Sequence, residues 1–108
     1  MPRTFYRIVK DREPGLYDFL SHHARGWQPR SNDPATLRRW RGVSVYTTEG
    51  QARSTAQRFP RIGRFIARLE IPDDVSLLIE GPDESGHCDL YAEPGALLGW
   101  VVGSPVPV

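Results

Sequence analysis

Apolar positions along this chain change period several times, and each change marks an element. Val43, Val45 and Thr47 alternate with Ser44 and Tyr46, the two-residue period of a strand with one buried face. From Thr48 the pattern turns helical. Thr48, three residues before Gln51, has the form of a capping box, in which the threonine oxygen takes the Gln51 amide and the glutamine reaches back. A helix from Glu49 to about Arg58 then puts Ala52 and Ala56 on one face, small enough to lie close against a sheet. The free amides and positive end of such a helix form an anion site beside the hydroxyls of Ser44, Tyr46, Thr47 and Thr48. Many ordinary strand-to-helix junctions look the same, so the junction alone does not decide between a ligand site and a purely structural turn.

The same reading extends to both sides. Residues 4–10 read as a first strand of Phe5, Tyr6, Ile8 and Val9 with Arg7 among them. An arginine in an apolar strand is costly if buried without a partner, so Arg7 is expected at a sheet edge, against a carboxylate, or facing a cleft. Leu16, Phe19, Leu20 and His23 fall at i, i+3, i+4 and i+7 and predict a helix over 16–24. Asp33-Pro34 reads as a cap and first helical residue, with Gly42 as the stop. Residues 64–71 predict a strand with Phe65, Ala67, Leu69 and Ile71 on one face and Ile66 on the other. Residues 75–80 read as a further strand, apolar enough to be central, and 88–91 as a short strand. Residues 94–98 read as one helical turn and 99–102 as the closing strand. The alternating prolines of 104–108 predict an extended or frayed tail. The expected organisation is one domain over 1–103 and a tail over 104–108.

Composition narrows the class. A chain of 108 residues, 39% hydrophobic, carries one small core. No run approaches the roughly 18 apolar residues of a membrane helix, and the arginine-bearing N-terminus does not read as a signal peptide, so the expected location is cytoplasmic with no membrane partner. A single cysteine, Cys88, excludes an internal disulfide and any multi-cysteine zinc site. Adjacent His22 and His23 would point about 100° apart on a helix and share no metal.

Charge adds an asymmetry. All 14 basic residues lie between Arg3 and Arg68, with five acids among them, whereas the chain beyond Arg68 has eight acids and no base. Such a split serves an anionic ligand or is neutralised by the acidic part folding over the basic one. Within 25–41, five arginines are interleaved with Trp27 and Trp40, a combination able to hold phosphate and stack on a base.

The blocks Phe5-Tyr6-Arg7-Ile8-Val9, Arg38-Arg39-Trp40-Arg41-Gly42 leading to Val45-Tyr46-Thr47-Thr48-Glu49, and Ile66-Ala67-Arg68-Leu69-Glu70-Ile71-Pro72-Asp73-Asp74 before Ile79-Glu80 resemble, in that order, the RES-domain family. The resemblance implies an α+β, ADP-ribosyltransferase-like split β-sheet with short helices, holding NAD as substrate. It further implies a toxin-like NAD glycohydrolase or ADP-ribosyltransferase, with an antitoxin as a protein partner. On the same basis Arg7 and Tyr46 would belong to the NAD pocket. The family's glutamate in the helix after that tyrosine has only Gln57 as a counterpart here, and its Arg-Trp-Asn run is present as Arg39-Trp40 alone.

Cleaving the nicotinamide–ribose bond builds positive charge on the sugar, so a site needs an aromatic wall, a polar group on a ribose hydroxyl and a grip on the diphosphate. Tyr46 is the candidate wall, Arg7 and Arg41 the diphosphate ligands, and Ser44, Thr47 and Thr48 further binding residues. Glu80, preferred over Glu49 and Glu93, is the candidate carboxylate. His87 is a ribose ligand or an acid/base. Two other classes stay open: a non-enzymatic nucleotide- or protein-binding member of the fold, and a small nucleic-acid-binding module using the Arg/Trp segment.

Overall fold

The computed structural model describes residues 2–108. Its strands are β1 (Arg3–Val9), β2 (Val43–Tyr46), β3 (Phe65–Ile71), β4 (Leu78–Glu80), β5 (His87–Tyr91) and β6 (Val101–Pro107), and its helices α1 (Pro34–Trp40), α2 (Glu49–Arg58) and α3 (Pro94–Gly99). The strands form one antiparallel sheet in the order β4-β5-β2-β1-β3-β6, so the chain is an α+β fold with short helices. No helix among the described residues is long and apolar enough to cross a membrane.

Alternation in the strands feeds two cores. Phe5, Val9, Val43, Val45, Ala67, Leu69 and Ile71 pack on one face with Phe19, Cys88, Leu90 and Leu97. The other face is smaller: Ile8 and Ile66 pack on Ala52 and Ala56, with Tyr6 and Tyr46 beside them. The alanines carry no bulk beyond Cβ, which lets α2 settle directly on the sheet. Its cap forms as its sequence predicts on one side only. The Thr48 hydroxyl accepts from the Gln51 amide at 3.1 Å, but Gln51 Oε1 accepts from the Thr47 hydroxyl at 2.7 Å instead of reaching back to the cap.

Three elements differ from their expected form. The helix expected over 16–24 is a single 3-10 turn, Leu16–Phe19, because the Asp18 carboxylate takes the Gly15 and Lys10 amides and Leu20 turns extended. Phe19 alone of that stripe is driven fully inside, while Leu16 stays more than half exposed. The strand expected over 75–80 shortens to Leu78–Glu80 and lies at the sheet edge rather than its centre. The Val75 carbonyl is taken by Arg3 Nη2 at 2.6 Å, outside any ladder. At the opposite edge, residues 104–107, expected as a tail, pair with β3 through Ile66 opposite Val106 and Phe65 opposite Pro107. Prolines are tolerated there because an edge strand has one side with no ladder to donate to.

Candidate functional site

The site grows from a lapse in the sheet. β1 runs in register with β3 from Arg3 opposite Ile71 to Val9 opposite Phe65, but among the described residues it pairs with β2 at one position, Tyr6 opposite Tyr46. Past that point the two strands part, and Arg7 bridges them. Its Nη1 donates to the Ser44 carbonyl at 2.7 Å and its Nε to the Asp18 carbonyl at 3.0 Å. An arginine fits an apolar strand here because it supplies the donors that the interrupted ladder lacks. Burial, then the neighbouring Arg25 cation, hold its pKa down to about 10, so it stays charged at neutral pH.

Arg7 opens onto a cleft of about 400 Å³, within the range of roughly 300–1,000 Å³ for small-molecule sites. Its walls come from Ile8, Ser44 and Tyr46 on the sheet, the segment from Asp18 to Trp27, Arg39 and Gly42 at the end of α1, and Arg61 and Ile62 after α2. Five cations line it, Arg7, Lys10, Arg25, Arg39 and Arg61, against one carboxylate, Asp18, whose two oxygens are both engaged by main-chain amides. The ion pairs of the described arginines lie elsewhere, between Arg38 and Glu80, Arg53 and Glu49, and Arg68 and Glu70.

Arg25 is the most exacting of these cations. Its guanidinium stands 4.6 Å from the Tyr17 ring centroid and 5.3 Å from that of Trp27, and Nη2 donates to the Tyr17 carbonyl. Its Nε is buried with no partner. His22 packs on Trp27 with centroids 4.8 Å apart, and its pKa is lowered by burial and by Arg25, Arg7 and Arg30, which keeps it neutral among the cations.

Along one wall, Ser44 links the cleft to β5. Its hydroxyl lies 2.9 Å from His87 Nε2, and the Tyr46 ring meets His87 edge-on at 5.6 Å. Asp89 Oδ1 lies 3.8 Å from Nε2, and Asp83 Oδ2 lies 3.9 Å from Nδ1. The His87 main chain is held by its own loop, since Asp83 Oδ1 accepts from the His87 amide and from Ser85. Gly86 precedes it at φ +78, and a Cβ there would strike the Gln51 side chain, so the turn that delivers His87 requires glycine. Asp89 is buried, and burial pushes its carboxyl above the usual range despite His87 and Arg39.

The sequence-derived candidates therefore divide. Arg7, Ser44 and Tyr46 share the cleft, and His87 contacts it through Ser44. Arg41 is exposed, over the Trp40 ring, and is not among the lining residues. Thr47 and Thr48 serve the start of α2, where the Thr48 hydroxyl takes the Gln51 amide, rather than the cleft. Glu80 lies in a separate depression that His87 also lines, with Arg38, Asp83 and Asp89; there Arg38 pairs with Glu80 and Tyr91 donates to it at 2.6 Å. Its pKa is lowered by the Tyr91 hydroxyl and then by Arg38, so Glu80 is a fixed anion. Sequence reading passed over Lys10, Arg61 and Asp89 as site residues, placed Arg25 only within the Arg/Trp segment, and gave Arg39 there and in the Arg39-Trp40 resemblance without assigning it a role.

Comparison with protein-family models, with curated proteins and with solved structures finds no match to this chain.

Proposed function

We propose that the cleft binds NAD or a related ADP-ribose nucleotide, in an ADP-ribosyltransferase-like split sheet, and that its chemistry is cleavage or transfer at the nicotinamide–ribose bond. One observation carries the binding half: five cations face one cleft with a single, already engaged carboxylate, and the innermost, Arg7, is destabilised by burial and by Arg25. An anion entering there offsets both costs, and guanidinium groups suit the two phosphates of a diphosphate because each presents parallel donors. Trp27 and Tyr46 supply flat apolar surface for a base or nicotinamide, and Ser44 supplies a hydroxyl for a ribose. A volume of about 400 Å³ suits a small nucleotide better than a nucleic-acid backbone, which would follow an open, extended basic groove.

A second reading is favoured by the carboxylates. Asp18 is engaged by amides and Glu80 lies outside the cleft, so binding without turnover is the natural outcome if Ser44 and His87 contribute no chemistry. Chromatographic assay of nicotinamide released from NAD separates the two: release supports the enzyme, and calorimetric binding without release supports the non-enzymatic binder. Absence of binding to NAD and ADP-ribose alike removes both readings.

A further inference from the structure

We propose that Ser44 is itself the acceptor of the ADP-ribosyl group, with His87 as its general base, so that the protein modifies its own cleft wall. This rests on the NAD reading above and names the acceptor which that reading leaves open.

Three observations converge on Ser44. It lines the cleft, and its hydroxyl is within a hydrogen bond, 2.9 Å, of an imidazole nitrogen, the pairing that activates a weak oxygen nucleophile. Its main chain is pinned from the other side by Arg7 Nη1 on the Ser44 carbonyl, so the hydroxyl is held beside the cation assigned to the diphosphate. The imidazole is flanked by carboxylates: Asp89 and Asp83 place oxygens 3.8 and 3.9 Å from its two nitrogens. A carboxylate free to activate water is missing from the cleft itself, because Asp18 is held by the Lys10 and Gly15 amides. The nucleophile positioned to act is therefore the hydroxyl already in contact with a base.

The step balances without an oxidant or reductant. Ser44 Oγ forms a bond to ribose C1′ as the bond from C1′ to the nicotinamide nitrogen breaks. The electron pair of that bond stays on the nitrogen, and nicotinamide leaves neutral. The hydroxyl proton passes to His87 Nε2 and from there to solvent. The product is an O-glycoside of Ser44, and it blocks the cleft that made it.

The test uses the full chain incubated with NAD and read by intact-mass and fragmentation mass spectrometry, alongside nicotinamide release and calorimetry. The expected result is a mass increase of one ADP-ribosyl group on the peptide containing Ser44. Ser44→Ala should lose that adduct, and His87→Gln should still bind NAD but label about 100-fold more slowly, the scale of a lost general base. Mapping on the unaltered protein does not depend on either variant folding. Nicotinamide release with no adduct at Ser44 overturns the proposal and leaves the NAD reading standing. Binding without release, or full-rate labelling of His87→Gln, overturns the acceptor or the base respectively. No binding of NAD overturns both the proposal and the reading beneath it.

Discussion

Arg7 ties two strands and a turn together, and on the proposed reading the same guanidinium grips the ligand. Its Nη1 and Nε bonds tie β1 to β2 and to the Asp18 turn, so Arg7→Ala should lower unfolding stability by about 1.5–3 kcal/mol, the scale of hydrogen bonds from a charged donor. Chemical denaturation checks it; an unchanged midpoint would mean those bonds are not made. Binding of ADP-ribose should weaken as well, since Nη2 is the nitrogen left for a ligand. Asp89 gives an opposite prediction. A carboxyl whose folded pKa is raised contributes fully to stability below its unfolded pKa and loses that contribution as pH rises through the folded value. At neutral pH its charge is therefore a burden, and Asp89→Asn should raise the melting temperature at pH 7, the gain vanishing as pH falls to the carboxylate range of about 3.9. A lower melting temperature at pH 7 would show that contact with His87 outweighs burial.

Elements show how much was legible and why the rest was not. The alternation of 65–71 and of 43–46 predicts the strands and the faces they bury, because period two leaves one choice of register to a strand with two apolar sides of unequal size. Helix α2 and the Asp33 cap of α1 were equally readable, since capping is local chemistry. Thr48→Ala should cost about 1 kcal/mol, measurable by thermal unfolding, with no loss of ligand binding because this helix end lies apart from the cleft. What failed was decided by distant partners. The stripe over 16–20 matched a helix, but Asp18 found the Lys10 amide eight residues back and closed a turn instead. Residues 75–80 matched a central strand, but Arg3 took the Val75 carbonyl. The site divided along the same line: Arg7 stood out as a charge in an apolar strand, whereas Lys10, Arg39 and Arg61 are ordinary surface cations until folding brings them around one space.

At the scale of the molecule the charge split acquires a reason. Two arginine ion pairs join the basic part to the acidic part among the described residues, Arg38 with Glu80 and Arg68 with Glu70, and neither takes a cation that lines the cleft. Three carboxylates of the acidic part, Glu80, Asp83 and Asp89, gather around His87 and at the β4 edge. An anionic ligand should then bind with a marked salt dependence, since the Debye length shortens from about 10 Å at 0.1 M to about 3 Å at 1 M. Raising salt across that range should weaken ADP-ribose binding measurably, and indifference to salt would argue for an apolar mode of binding on Trp27 and Tyr46. The most direct test of the whole account is a calorimetric titration of ADP-ribose into the full chain at low salt, at a protein concentration about 100 times a micromolar dissociation constant. A saturable one-to-one isotherm is expected, and it should be lost in Arg25→Ala, whose side chain lines the cleft against Trp27. A flat titration, or an isotherm unchanged by Arg25→Ala, would contradict it.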